Sequence, residues 1–314
     1  VSLPIKPPLL PQLARPRAAL PEDAGWAFEP KWDGFRAVAF VDGDETYVQS
    51  RNGKPLGRYF PELRFPAGRY VLDGEIVIDG PDGRQEFELL GQRIHPAASR
   101  IARLAEETPS RFIAFDVLSL DDDVLLERTY AERRKLLEGL VAAPVDLTPW
   151  TDRIDEARPW LQSAEGVIAK QLDAPYKPGE RAGMVKVKRV RTIDAVVMGW
   201  RPGKAENTVG ALILGLYDDD GRLREVGHTS GFKAAEKRTL VDTLKPYETG
   251  ERGSGEPSRW THGRELAWVK LRPELVIEVS FDHVSGGRIR HGAKLQRWRE
   301  DKAPAECRIE QLES

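Results

Sequence analysis

"EPKWDGFRA", residues 29–37, sets one lysine, Lys31, between a tryptophan and an Asp33-Gly34 turn, with a second cation, Arg36, two residues beyond the turn. A solvated surface lysine requires no such bracket. A lysine that attacks an electrophile does, because a nucleophilic amine must shed its proton although free lysine titrates near about 10.4. Neighbouring cations or a metal ion favour the neutral form. The chain offers cations at Arg36, Lys186 and Lys188, and metal-type carboxylates at Glu75 and Glu165. Cations gathered around a lysine call for an anion among them, and phosphate is the natural one.

The segments around this stretch read as strands. "AVAFVDGDETYVQS" (37–50) is two apolar runs about an Asp-Gly turn, a hairpin signal. "YVLDGEIVID" (70–79), "RFIAFDVLSLD" (111–121), "AEGVIAKQ" (164–171) and "GMVKVKRVR" (183–191) are further strands. In the last, Lys186 and Lys188 alternate with Val185 and Val187, so both lysines share one face. Helices are expected in "QEFELLGQRI" (85–94) and in "TYAERRKLLEGL" (129–140), where Leu136, Leu137 and Leu140 form one face. Residues 1–25 read as a proline-rich lead-in without regular structure.

After about residue 191 the chain turns strand-rich, with one helical insert, "KAAEKRTLVDTLKP" (233–246), which fits a small closed β-barrel of the OB type. The acid runs Asp121–Asp123 and Asp218–Asp220 read as turns rather than metal sites. The expected organisation is a lead-in (1–25), a first domain (26–190) and a barrel (191–314), an α+β protein overall.

Bulk properties exclude several classes. No stretch approaches the roughly 20 apolar residues of a membrane span, and the start lacks the order of a signal peptide, so a cytoplasmic protein is expected. The single cysteine, Cys307, rules out an internal disulfide and a cysteine-based zinc site. The histidines never fall at H-x-x-x-H spacing. A net charge of −2 argues against coating nucleic acid through bulk charge. Locally, however, residues 181–191 and 285–299 each carry five cations and no acid, which suggests localised phosphate contacts.

An ordered series of motifs adds a family. "KWDG" (31–34), "SRNG" (50–53), "LDGEIV" (72–77), "FDVL" (115–118), "EGVIAK" (165–170), "VKVK" (185–188) and "REDK" (299–302) resemble, in order, the motifs of covalent nucleotidyltransferases. The chain most resembles the ATP-dependent DNA ligases, in particular the small bacterial repair ligases and the ligase module of bacterial non-homologous end joining. The resemblance implies a ligase-type adenylation domain followed by an OB-fold domain.

It also implies roles. Lys31 would attack the α-phosphate of ATP and carry AMP. Glu29 would meet the adenine edge and Phe115 its face, with Arg36 and Arg51 near the ribose and the nick phosphate. Glu75 would serve the ribose hydroxyl or a metal, and Glu165 would be the main carboxylate for Mg2+ or Mn2+. Lys186 and Lys188 would grip the α-phosphate. Arg299, Asp301 and Lys302 would orient pyrophosphate, and Arg288, Arg290, Lys294 and Arg297, in the second basic run, would meet DNA. A hinge is expected at "RVRT" (189–192).

The implied substrate is nicked or broken duplex DNA, bound by a monomer, with Ku-like end-binding and polymerase or primase repair proteins as candidate partners. Only 30 residues precede Lys31, too few for the helical DNA-binding domain of larger ligases, so full encirclement of the duplex is not expected.

On the residues alone plainer readings stand beside these. Phe115 fits a strand core, Glu75 a turn flank and Arg51 an exposed hairpin. An RNA ligase or capping guanylyltransferase shares the lysine and carboxylates. An OB-type single-strand binder would use Trp260, Trp268 and Trp298 as stacking platforms.

Overall fold

The computed structural model describes residues 2–81, 83–254, 267–290 and 292–312. The chain divides into two compact units, Val1–Arg189 and Val190–Ser314.

The first unit runs β1 (Arg15–Pro16), β2 (Trp26–Pro30), β3 (Phe35–Gly43), β4 (Glu45–Ser50), β5 (Gly68–Ile78), α1 (Phe87–Arg93), α2 (Ala98–Glu107), β6 (Ser110–Leu120), β7 (Asp123–Val124), α3 (Tyr130–Leu140), β8 (Asp146–Leu147), α4 (Ile154–Ala157), α5 (Trp160–Ser163), β9 (Gly166–Gln171) and β10 (Met184–Lys188). They form two sheets, β4-β3-β5-β6-β7 with β8 beside β6, and β1-β10-β9-β2.

The first sheet is buried on both faces, which explains its unbroken apolar runs. In β3, Ala37, Ala39 and Val41 enter one core with Leu72, Ile76, Phe112 and Leu137. Val38 and Phe40 point the other way, into a core with Leu3, Ile5, Val71 and Tyr176. The hairpin expected in 37–50 is present, with Asp42 opposite Glu45. Helix α3 opens with a capping box in which Thr129 and Glu132 satisfy each other's backbone N–H.

The proline-rich start is largely irregular, yet it is packed into the unit. Leu3, Ile5 and Leu20 are buried, and Arg15–Pro16 pairs in parallel with β10.

The second unit holds β11 (Arg191–Pro202), β12 (Val209–Tyr217), β13 (Leu223–Thr229), α6 (Ala234–Leu244), β14 (Glu248–Ser254), β15 (Ala267–Leu271), β16 (Val276–Phe281), β17 (Val284–Ser285), β18 (Arg288–Ile289) and β19 (Lys294–Trp298). Strand β11 is its spine. Its first half, Arg191–Val196, pairs with β16, while Gly199–Trp200 pair with β15. The register breaks between Val197 and Gly199.

The expected OB-type barrel unit is present as an OB-like half-barrel. Among the described residues the ladders run β13-β12-β11-β15-β14, with β16 and β19 branching from β11, and no ladder joins the ends. A bulged strand that changes partners bends the sheet, and at the end of β13 the Ala293 N–H, just before β19, donates to the His228 carbonyl at 2.8 Å.

Asp218–Asp220 forms the turn between β12 and β13, where the Gly221 N–H donates to the Asp218 carbonyl at 3.0 Å. Of the three tryptophans, Trp268 is buried, and Cβ atoms at Gly199 or Gly253 would collide with its ring. Trp298 packs half-buried on the core of Val196, Leu214, Ile277 and Val279, and Trp260 lies outside the described residues. Among the described residues no helix is long and apolar enough to cross a membrane.

Candidate active site

Strand register gathers the site. β2 pairs antiparallel with β9, Pro30 opposite Val167, so Lys31 leaves β2 beside Glu165-Gly166. The Lys31 backbone N–H donates to the Gly166 carbonyl at 2.9 Å. On the other side of β9, Lys188 of β10 stands opposite Gly166. Three distant segments thus meet at one end of a sheet.

The quoted stretch explains itself here. Trp32 Nε1 donates to Thr148 Oγ1 at 2.9 Å, anchoring the loop that carries Lys31. Gly34 has no room for a side chain, since a Cβ would collide with the Ile76 carbonyl oxygen of β5.

Glu165 ties two lysines together. One carboxylate oxygen accepts from Lys31 Nζ, and the other lies 3.1 Å from Lys188 Nζ. Burial pushes the Glu165 pKa up, but Lys31 and Lys188 more than offset this and hold it below the usual carboxylate range. Lys186 shares the cationic field. Burial, then Lys31, Lys188, Arg181 and Arg51, all depress its pKa.

Glu75 stands opposite Arg36 in the β3–β5 ladder. Burial pushes its carboxyl up to about 8, against the pull of Arg36 and Lys31 and with the help of Asp73 and Glu165. Its carboxyl group makes no hydrogen bond or ion pair with the described residues. A buried carboxyl near Glu165 with no bonded partner suits a hard divalent cation, which would hold it ionised. No three His, Cys, Asp or Glu come together as ligands among the described residues. One or two carboxylates, completed by water and phosphate oxygens, match the way magnesium-type ions are held.

Glu29 and Phe115 meet through a lysine that sequence reasoning left without a role. Lys170 Nζ lies 2.9 Å from Glu29 Oε2 and 3.0 Å from its Oε1. It also donates to the Phe115 carbonyl at 2.9 Å and stands 4.9 Å from the Phe115 ring centre. Tyr130 Oη, at the start of α3, donates to Glu29 as well. Lys170 closes the "EGVIAK" motif, which was the one available signal. Tyr130 had none.

Arg36 forms a two-pronged pair with Asp73, 2.7 Å on each arm, and lies 4.7 Å over the Phe115 ring. Burial lowers its pKa, and Asp73 raises it by more. Arg51 is exposed in the turn after β4, where its backbone N–H donates to the Arg36 carbonyl at 3.0 Å.

The remaining expected residues belong to the second unit. Arg299 holds Asp301 with two bonds of 2.9 Å and reaches Asp194 at 2.8 Å, and Lys302 stands 3.9 Å from Asp194. Bonding to Arg299 pulls Asp301 down to about 2. In the basic run, Arg288 pairs with Glu225 and Arg297 with Glu278, at 2.5 and 2.7 Å. Arg290 N–H donates to the His283 carbonyl at 3.0 Å, and Lys294 is exposed on β19. Acids from neighbouring strands therefore neutralise part of a run that holds no acid of its own.

Fold and site together are those of a nucleotidyltransferase. The chain matches the family described as "ATP dependent DNA ligase domain" over residues 8–188, and that described as "ATP dependent DNA ligase C terminal region" over residues 205–302. It is 45% identical to DNA ligase C1 of Mycolicibacterium smegmatis over 340 residues, covering 100% of this chain and 96% of that protein. It is 34% identical to the multifunctional non-homologous end joining protein LigD of the same species, covering 90% of this chain and 37% of that protein. Among solved structures, mycobacterial DNA ligase D complexed with ATP and MES is 31% identical with a TM-score of 0.52, covering 95% of this chain and 97% of that one. The chain belongs to the ATP-dependent DNA ligases.

Proposed function

We propose that this ligase activates itself at Lys31. The deprotonated Nζ attacks the α-phosphorus of ATP and a nitrogen–phosphorus bond forms. The bond from that phosphorus to its bridging oxygen breaks, and pyrophosphate leaves. The adenylyl group then moves to the 5′-phosphate of nicked or broken duplex DNA, and the adjacent 3′-hydroxyl displaces AMP to seal the strand. The observation that carries this reading is the single carboxylate, Glu165, shared by Lys31 and Lys188. It orients the nucleophile and fixes a second cation one strand away.

Catalysis of this kind rests on positioning and charge neutralisation. Lys186 and Lys188 oppose charge on the α-phosphate. Glu29 and Phe115 receive the adenine, and Arg36 and Arg51 face the ribose and the nick phosphate. Mg2+ or Mn2+ held by Glu75 and Glu165 would neutralise charge at the phosphates when bound. Arg299, Asp301 and Lys302 orient pyrophosphate, and Arg288, Arg290, Lys294 and Arg297 contact duplex backbone, giving binding that weakens steeply with salt. The likeness to a protein named for non-homologous end joining supports DNA breaks as substrate.

The test is labelling with α-labelled ATP and magnesium or manganese, resolved on a denaturing gel. Wild type is expected to carry label from ATP but not from GTP. Lys31→Ala is expected to lose it by at least about a thousandfold. Label of equal strength in Lys31→Ala would move the nucleophile elsewhere.

A further inference from the structure

The N-terminal segment enters the site through one residue. Gln12 is buried, and both its backbone groups are engaged. Its N–H donates to Tyr176 Oη at 3.0 Å, and its carbonyl accepts from Arg36 Nη2 at 3.2 Å. Tyr176 Oη in turn donates to Asp73 Oδ2 at 2.6 Å, and Asp73 holds the Arg36 guanidinium on both arms. The result is a closed ring of hydrogen bonds, Gln12 to Tyr176 to Asp73 to Arg36 and back to Gln12.

Asp73 is fully buried and Tyr176 nearly so. Because each member both receives support and passes it on, loss of one bond leaves two buried neighbours short of a partner. The Gln12 side chain fastens the segment from behind, donating to the Ala182 carbonyl and accepting from the Lys177 N–H. These residues line the same small cavity as Phe115 and Lys170, whose free volume of about 10 Å³ scarcely admits one water. Asp73, the Gln12 carbonyl and the Phe115 ring hold the guanidinium on three sides, so its position is set largely by the ring of hydrogen bonds.

We infer that Tyr176 and Gln12 are positioning residues for Arg36. They act through Asp73 and the N-terminal segment, and they set how well the site accepts ATP. The inference rests on the reading proposed above, in which Arg36 faces the nucleotide. Tyr176 is the most informative position, since it joins a segment more than 160 residues away to the β5 carboxylate. Its aromatic body packs with Leu3 and Ile5, so Tyr176→Phe keeps the packing and removes only the hydroxyl.

The experiment is a double-mutant cycle on the labelling reaction, run as a function of ATP concentration. Tyr176→Phe is expected to raise the KM for ATP about tenfold, the loss typical of one hydrogen bond to a charged group. The rate at saturating ATP is expected to change less than about twofold. Gln12→Ala, which loosens the segment but leaves the hydroxyl in place, is expected to raise KM about threefold.

In an Arg36→Ala background neither change should add more than about twofold, because the group they position is gone. A tenfold effect that persists in that background would overturn the inference, as would a wild-type KM in folded Tyr176→Phe. Failure of the parent reading looks different, since wild type would then take no label on Lys31.

Discussion

Around Lys31, in the first unit, charged groups share partners. Glu165 serves Lys31 and Lys188, Lys170 binds Glu29 and the Phe115 carbonyl, and Asp73 serves Arg36 and Tyr176. In the second unit, cations of the basic run meet acids on adjoining strands at a half-exposed surface, Arg288 with Glu225 and Arg297 with Glu278. The same residue types thus do two kinds of work. Buried shared pairs hold geometry at a cost in desolvation, and removing one partner strands the other. Exposed pairs are individually weak, screened by salt and easily exchanged. A unit that must hold a reacting phosphate needs the first arrangement. On the function proposed, the second unit meets a repeating phosphate backbone and can use the second arrangement, because its cations would be released at little cost when a phosphate offers itself.

The contrast breaks or sharpens at three positions. Lys170→Met leaves Glu29 buried with Tyr130 as its main donor, and is expected to destabilise the protein by about 3 kcal/mol in denaturant unfolding. A loss below about 1 kcal/mol would mean the buried network is as loose as the surface pairs.

Glu75→Gln works in the opposite direction. Burial raises the Glu75 carboxyl to about 8, above the 4.5 of an unperturbed group. Its contribution to stability is therefore complete below about 4.5 and declines as the pH rises towards about 8. In the ligand-free protein Glu75→Gln is expected to raise Tm at pH 8.5 by about 2–4 °C, with no gain at pH 4. Calorimetry at both values checks it.

The smallest effect belongs to the surface. Arg297→Ala, which removes a partner of Glu278, should cost under about 1 kcal/mol, while nick binding weakens and its salt dependence becomes shallower. Unchanged binding at every salt concentration would remove Arg297 from the DNA contacts.

Much of the active-site end was readable because its information is local. The turn glycine after Lys31 and the alternation of Lys186 and Lys188 are carried by residues next to one another. The strand reading of 164–171 and 183–191 then needs only register to bring Glu165 to both lysines. What escaped is what depends on distance along the chain. Tyr130 meets Glu29 across 101 residues, and Gln12 meets Tyr176 across 164, and neither pair has a period or motif to announce it. The OB-type unit was readable, but the way its sheet bends escaped for another reason. Strand lengths do not reveal that β11 changes partners midway, since that depends on a register break at Val197–Gly199 which composition does not encode.

The two-lysine grip of Glu165 has a further consequence. An ammonium group carries one positive charge, and a phosphoramidate nitrogen carries none. On the reading proposed, once AMP is attached one oxygen of Glu165 loses the cation it held, while the other keeps Lys188. The carboxylate then has an unmet demand for positive charge that did not exist a step earlier. Completing the first reaction thereby alters the electrostatic address of the site, and the enzyme carries in one side chain a record of whether it is loaded.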